Sequence, residues 1–279
     1  HRDLHSFPTR RSSDLVIKAP LPVLPTFSLG ALLDDDSPLP SDLIAPRVLT
    51  PSGMLVFGGA PKVGKSDFLL SWLTHMAAGA TFLGLEPPRP LRVFYLQAEV
   101  QYHYLRERVK AIRLPASRIP EARVNFVATP QLRLLLDDAG LAQIIPAIAE
   151  AFRPEAPDII AIDPIRNVFD GGEGSAGEND NAAMLFFLSQ RVERLRDAIN
   201  PDAGIVLVHH TKKLGKRQFE EDPFQALSGA SSLRGYYSTG MLLFRADETQ
   251  SPRQVLFELR NGPAIPTKQI GRASCRERV

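Results

Sequence analysis

Several polar clusters in this chain are of the types that handle phosphate esters. The first is Gly58-Gly59-Ala60-Pro61-Lys62-Val63-Gly64-Lys65-Ser66-Asp67. Residues 59–66 fit G-x-x-x-x-G-K-[ST], the spelling of a phosphate-binding loop between a strand and a helix. Successive backbone N–H groups must face one concavity to hold phosphate oxygens, and glycine allows that turn without a Cβ clash. The N-terminus of the following helix adds partial positive charge. Lys65 is suited to the β- and γ-phosphates and the Ser66 hydroxyl to Mg²⁺. Gly59, Ala60, Pro61, Lys62, Val63, Gly64, Lys65, Ser66 and Asp67 are therefore the candidate nucleotide contacts. The alternative, a glycine-rich turn with a chance Gly-Lys-Ser, is disfavoured by the apolar run before it and the helical run after it.

Two carboxylates stand at the ends of apolar runs. Asp163 closes Ile159-Ile160-Ala161-Ile162-Asp163, which would put it at the ligand-binding edge of a parallel sheet. There it can share a Mg²⁺ shell with Ser66, as a Walker B aspartate does; a cap before Pro164 is the other reading. Glu99 follows the run 93–98 and can orient and deprotonate a water at the same edge; a solvent-facing strand end is its alternative. One acid for metal and one for water suits hydrolysis better than transfer to a bound hydroxyl. His209-His210-Thr211 follows another apolar run. Strand alternation turns one histidine toward the site, and His210 is preferred as the γ-phosphate sensor over a half-buried structural role. Lys212, Lys213, Lys216 and Arg217 could meet a nucleic-acid backbone. Glu220-Glu221-Asp222 nearly cancels them, so an ordinary solvated loop is an equal reading.

The elements that must carry these residues follow from periodicity. Strands are expected near 53–59, 91–96, 124–127, 158–163 and 204–209, with a late pair near 240–244 and 255–259. Helices are expected after the loop to Ala78, over 101–113, over 138–152 with a possible bend at Pro146, and over 184–199 with Leu185, Leu188, Val192 and Leu195 on one face. In the first helix Phe68, Leu69, Trp72, Leu73 and Met76 share a face, and Gly79 is its stop. Short apolar strands alternating with amphipathic helices predict an α/β chain, a mostly parallel sheet with helices on both faces.

Both ends are set apart. Residues 5–15 read like a translated sequencing adapter, and 270–279 like the same adapter reversed, so 1–15 and 270–279 are expected to be artefact and the natural product to be longer. Removing their six arginines and three acids from the chain's 33 basic and 31 acidic residues leaves 27 and 28, a net charge near −1. The sequence pI of about 8.7 is thus no sign of nucleic-acid binding. The single cysteine, Cys275, also lies in a tail, which excludes a disulfide frame or thiolate metal site from 16–269 and is compatible with a reducing cytoplasm. No apolar run approaches the roughly 20 residues of a membrane span. Residues 16–52, rich in proline, are expected to be a lead-in, and 53–269 the functional domain.

Taken together these residues resemble the RecA-like P-loop NTPases, and within them the AAA-family ATPases of the RepA-type hexameric replicative helicase group. Asp163-Pro164 followed by Glu178-Asn179-Asp180-Asn181 is similar to that group's Walker B strand and next helix. Val208-His209-His210-Thr211-Lys212-Lys213 resembles its sensor motif, and Leu227-Ser228-Gly229-Ala230-Ser231-Ser232-Leu233 another of its segments. The resemblance spans most of 50–265. It implies a sensor at His210, a catalytic Glu99 with a helix arginine at Arg108, and ATP and Mg²⁺ as cofactors. It also implies a homo-oligomeric ring, a hexamer, whose neighbour supplies an arginine to each site. Arg260 and Arg234 are the candidates; Leu259-Arg260-Asn261-Gly262-Pro263 is similar to a DnaB-type segment but carries Glu258 where that segment has lysine. The implied function is Mg²⁺-dependent ATP hydrolysis driving a cytoplasmic helicase or translocase on single-stranded DNA in replication. A DNA-binding switch without unwinding, and less so a small-molecule kinase, are the rivals.

Overall fold

A computed structural model of the chain describes residues 25–174, 177–212, 216–227, 231–245 and 252–270. The expected artefact segments, apart from Ile270, and residues 228–230 of the family-like segment lie outside these. The chain divides into two compact units, 1–39 and 40–279. In the first, the one described helix is α1, Leu29–Leu33, started by Ser28, whose hydroxyl accepts from the Ala31 N–H at 3.1 Å.

The second unit runs β1 (Met54–Gly59), α2 (Lys65–Ala77), β2 (Val93–Gln97), α3 (Tyr102–Ala111), α4 (Ile119–Asn125), β3 (Phe126–Ala128), α5 (Asp138–Ala151) and β4 (Ile159–Asp163). It continues with α6 (Asn181–Phe187), α7 (Glu193–Ile199), β5 (Gly204–His210), α8 (Lys216–Glu221), α9 (Ser231–Tyr236), β6 (Thr239–Arg245), β7 (Arg253–Leu259) and β8 (Lys268–Ile270). The eight strands form one sheet in the order β3-β2-β4-β5-β1-β6-β7-β8. The first six in that order run parallel, and β7 and β8 add antiparallel. Alternate residues of each central strand feed two cores. Leu55, Phe57, Tyr95 and Ala161 pack with Phe68, Leu69, Trp72 and Met76 of α2 on one face. Val56, Leu96, Ile160 and Ile162 pack with Ile144, Ile148, Phe187 and Leu195 on the other. The expected α/β architecture, with both faces covered, is the observed one.

Four details differ from the sequence expectations. Residues 40–52 are no loose lead-in: Leu43, Ile44, Val48 and Leu49 are buried. The segment expected as a strand at 124 begins later, because Pro120 opens a helix that runs to Asn125. The long helix at 181–199 contains a π-helical turn, Leu188–Val192, and Leu185 is 48% exposed while Met184, Phe187 and Leu188 form the buried stripe. Finally, Ile270, assigned to the tail from sequence, is buried in β8 opposite Arg253.

Candidate functional site

The loop leaves the C-terminal end of β1, the strand with β5 on one side and β6 on the other. Two glycines in it have a structural reason. A Cβ on Gly59 would fall 2.7 Å from the Leu243 carbonyl oxygen, and Gly64 sits at φ +98° as the residue that starts α2. The buried Lys65 side chain curls back over this loop. Its Nζ donates to the carbonyls of Gly59 at 2.7 Å and Ala60 at 3.1 Å, and meets His210 Nδ1 at 3.3 Å. An ammonium only donates, so Nδ1 accepts and the ring proton belongs on Nε2. The contact follows from register: β1 and β5 are parallel neighbours, and Gly59 lies opposite His210.

Asp163, at the end of β4, is buried and accepts a hydrogen bond from the Tyr95 hydroxyl of β2. Burial raises its carboxyl above the usual carboxylate value; hydrogen bonds from Tyr95 and Ser66 oppose the rise, Glu99 adds to it, and Lys65 opposes it. The Tyr95 hydroxyl is pushed well above its usual value, first by burial and then by the charge of Asp163. Burial lowers the Lys65 ammonium, against the pull of Asp163 and Glu99. Glu99, two residues past β2, is exposed, yet its charge acts on Lys65, Asp163, Tyr95 and His210 together. His210 is half-buried and its pKa is lowered, by burial first and then by Lys65, so the imidazole is neutral at neutral pH. His209 faces the other way, buried, with its pKa lowered to about 4 mainly by burial.

The structure therefore brings Lys65, Ser66, Asp163, Glu99 and His210 to one edge of the sheet. Arg108 of α3 ties to this group through Asp67 of α2, at 3.2 Å. Arg260 and Arg234 lie elsewhere. The Arg260 N–H donates to Ser238, whose own N–H donates to Met54 at the start of β1. Five strand steps, about 17 Å, separate that end from the loop, so neither arginine reaches its own chain's loop. Arg234 is held by Glu258 and Asp222, both at 2.6 Å, and these hydrogen bonds raise its pKa. Arg260 is exposed and donates to the Gly235 carbonyl at 2.6 Å. Of the basic loop, Lys212 is exposed, Arg217 pairs with Glu221 at 2.9 Å, Lys216 begins α8, and Lys213 lies outside the described residues.

Sequence reasoning passed over three residues at this edge. Tyr95 and Gln97 are the polar members of an otherwise apolar buried strand, in step with each other, and that was a readable signal. Gln97 lies opposite Asp163 and is fully buried, with neither its amide nitrogen nor its oxygen partnered among the described residues. Arg166, three residues past Asp163, is exposed and its charge bears on His210 and Glu178.

The donor set fits Mg²⁺. Ser66 and Asp163 offer hard oxygens close enough that Ser66 helps hold the Asp163 carboxyl down, two ligands that leave the remainder to water and phosphate, as this ion prefers. The orphaned Gln97 amide beside them is what a ligand-bound water would satisfy.

A parallel sheet whose central strand ends in such a loop, with an acid and a histidine from nearby strands at the same edge, is the fold of the RecA-like P-loop NTPases. The chain belongs to the AAA domain family, whose model matches residues 20–216. Two solved structures share the fold. A KaiC-like protein from the hyperthermophilic archaeon Pyrococcus horikoshii OT3 is 10% identical, with a TM-score of 0.51 over 80% of this chain and 88% of that one. The ATPase domain of G40P is 12% identical, with a TM-score of 0.52 over 78% of this chain and 80% of that one. No curated protein matches the chain by sequence. Among the described residues no helix is long and apolar enough to cross a membrane.

Proposed function

We propose that the chain hydrolyses ATP to ADP and phosphate with Mg²⁺, as a subunit of a homo-oligomeric ring working on single-stranded DNA, in the manner of a RepA-like helicase or translocase of DNA replication. The observation that carries the hydrolytic reading is the meeting of Lys65, Asp163, Glu99 and His210 around one loop. On this reading the loop amides hold the β-phosphate, and Lys65 exchanges its contacts with the Gly59 and Ala60 carbonyls for phosphate oxygens. The exposed Glu99 takes a proton from a water whose oxygen attacks the γ-phosphorus as the bond to the β-γ bridging oxygen breaks. His210 donates from Nε2 toward the γ-phosphate and registers its loss at the start of the loop that follows. Ser66 and Asp163 would hold Mg²⁺, which supplies neutralisation of charge on the β- and γ-oxygens.

The ring reading is supported by Arg260, which is exposed at the edge remote from its own loop and so is available to a neighbouring subunit's site. Arg234, engaged by two acids of its own chain, is the weaker candidate. A DNA-responsive switch without unwinding is the second reading, favoured by the pairing of Arg217 with Glu221, which dilutes the basic loop. ATP turnover measured with and without single-stranded DNA tests the hydrolase. Stimulation that disappears in Lys65→Ala and Glu99→Gln supports it, and no turnover in the wild type under either condition refutes it. Strand separation on a forked duplex then distinguishes motor from switch: stimulated hydrolysis with no unwinding removes the helicase reading.

A further inference from the structure

At the loop edge of the sheet, β6 and β7 bring two arginines together that the site described above does not use. Arg245 and Arg253 are directly opposite each other in the antiparallel pair. They fall in step with Met241, Leu243 and Val255, which pack on the face that carries α2. Like charges directly opposite across two strands destabilise the pair. Among the described residues, no carboxylate lies within ion-pairing distance of either guanidinium. Arg253 also touches the phosphate loop. A methyl group on Gly64 would fall 2.8 Å from the Arg253 guanidinium carbon and 2.9 and 3.0 Å from its two terminal nitrogens. That places a planar, five-donor cation against the residue that starts α2, where the helix terminus is already positive. Among the described residues the result is a concentration of positive charge with no acid paired to it, which suits an anion.

We infer that Arg253, with Arg245 beside it, is a nucleotide contact made within the same chain, binding the α- and β-phosphates of a nucleoside di- or triphosphate. The inference rests on the nucleotide-site reading above and adds a residue to it. It also gives Gly64 a second reason to lack a side chain: any Cβ would displace the guanidinium from the loop.

The test is binding of ADP, AMP and adenosine to the full chain without Mg²⁺, by isothermal titration, for the wild type, Arg253→Gln, Arg253→Lys and Arg245→Gln. Loss of a hydrogen-bonded contact to a charged phosphate predicts about 10- to 100-fold weaker ADP binding in Arg253→Gln, with adenosine changed less than about twofold. Arg253→Lys should recover part of the loss, since it restores charge without the planar fork. Arg245→Gln should weaken ADP less than Arg253→Gln does. Thermal unfolding of each nucleotide-free variant separates lost binding from lost folding. Unchanged ADP affinity in Arg253→Gln overturns the inference. So does an equal loss for ADP and adenosine, which would mean stacking on the base. A wild type that binds neither ADP nor ATP overturns the underlying nucleotide site and this contact with it, whereas normal wild-type binding with an indifferent Arg253 overturns only the contact.

Discussion

Replacing Tyr95 with phenylalanine removes one oxygen from the centre of the site and leaves the ring packed near Phe126, with centroids 6.2 Å apart. The lost group is the donor to the buried Asp163 carboxylate. A hydrogen bond to a charged acceptor contributes about 1.5–3 kcal/mol, and no cavity forms to add to it. For a domain of this size each kcal/mol lowers the melting temperature by about 2–4 °C, so Tyr95→Phe should melt about 3–12 °C below wild type. It should also move a functional titration. Burial already raises the Asp163 carboxyl and the Tyr95 hydrogen bond opposes that rise, so its removal raises the carboxyl further. A protonated Asp163 cannot ligand Mg²⁺. The acid limb of Mg²⁺-dependent nucleotide binding, followed with a fluorescent ATP analogue from pH 8 downward, should therefore begin at higher pH in the variant. Binding without Mg²⁺ should change little. Equal melting temperatures together with superimposable acid limbs would refute the assigned role of the Tyr95–Asp163 pair.

Other outcomes follow from the same geometry. Glu99→Gln should keep ATP affinity within a few fold and lose about 10²–10⁴ of turnover; full activity would remove Glu99 as the base. On the ring reading proposed above, Arg260→Ala and Lys65→Ala would each disable a different half of a shared site, so mixing the two variants should restore a fraction of the ATPase rate. The arginine contribution to be recovered is on the order of 10³–10⁵, and no recovery would sink the shared site. His209 has a folded pKa of about 4 against an ordinary 6.5, so the unfolded chain binds the proton more readily between those values. Stability is full above about pH 6.5 and falls as pH drops toward 4, by about 3 kcal/mol. Urea unfolding across that range should show the slope, and His209→Leu should flatten it. Gly59→Ala drives a methyl to 2.7 Å from the Leu243 carbonyl and 3.0 Å from Val63, and should cost about 1–3 kcal/mol, read as a lower urea midpoint.

Much of the domain was legible in the order of its residues because the signals are local. A buried parallel strand is a short apolar run, and a helix packed on it shows a 3.6-residue stripe. So β1, β2, β4, β5 and α2 stand where the pattern put them. The phosphate loop is the most local signal of all, since neighbouring amides and a helix terminus form it. Where a competing cue intervened, periodicity misled. Pro120 started α4 where a strand was expected, the π-helical turn shifted the stripe that should have included Leu185, and Ile270 joined the sheet although its neighbours look foreign.

What the sequence by itself determined is the inventory: a cradle for phosphate, an ammonium, two acids at strand ends, a pair of histidines, and an alternation that requires a covered parallel sheet. What it could not determine is which strands are neighbours, because pairing joins residues far apart in the chain through hydrogen bonds that leave no mark on either segment. Only the tertiary structure set β5 beside β1, so that His210 rather than His209 meets Lys65. It alone turned Tyr95 and Gln97 toward Asp163, carried Arg260 and Arg234 to the opposite edge, and laid Arg253 against Gly64. Side-chain chemistry is written residue by residue, whereas proximity between strands is decided by the register of the folded sheet.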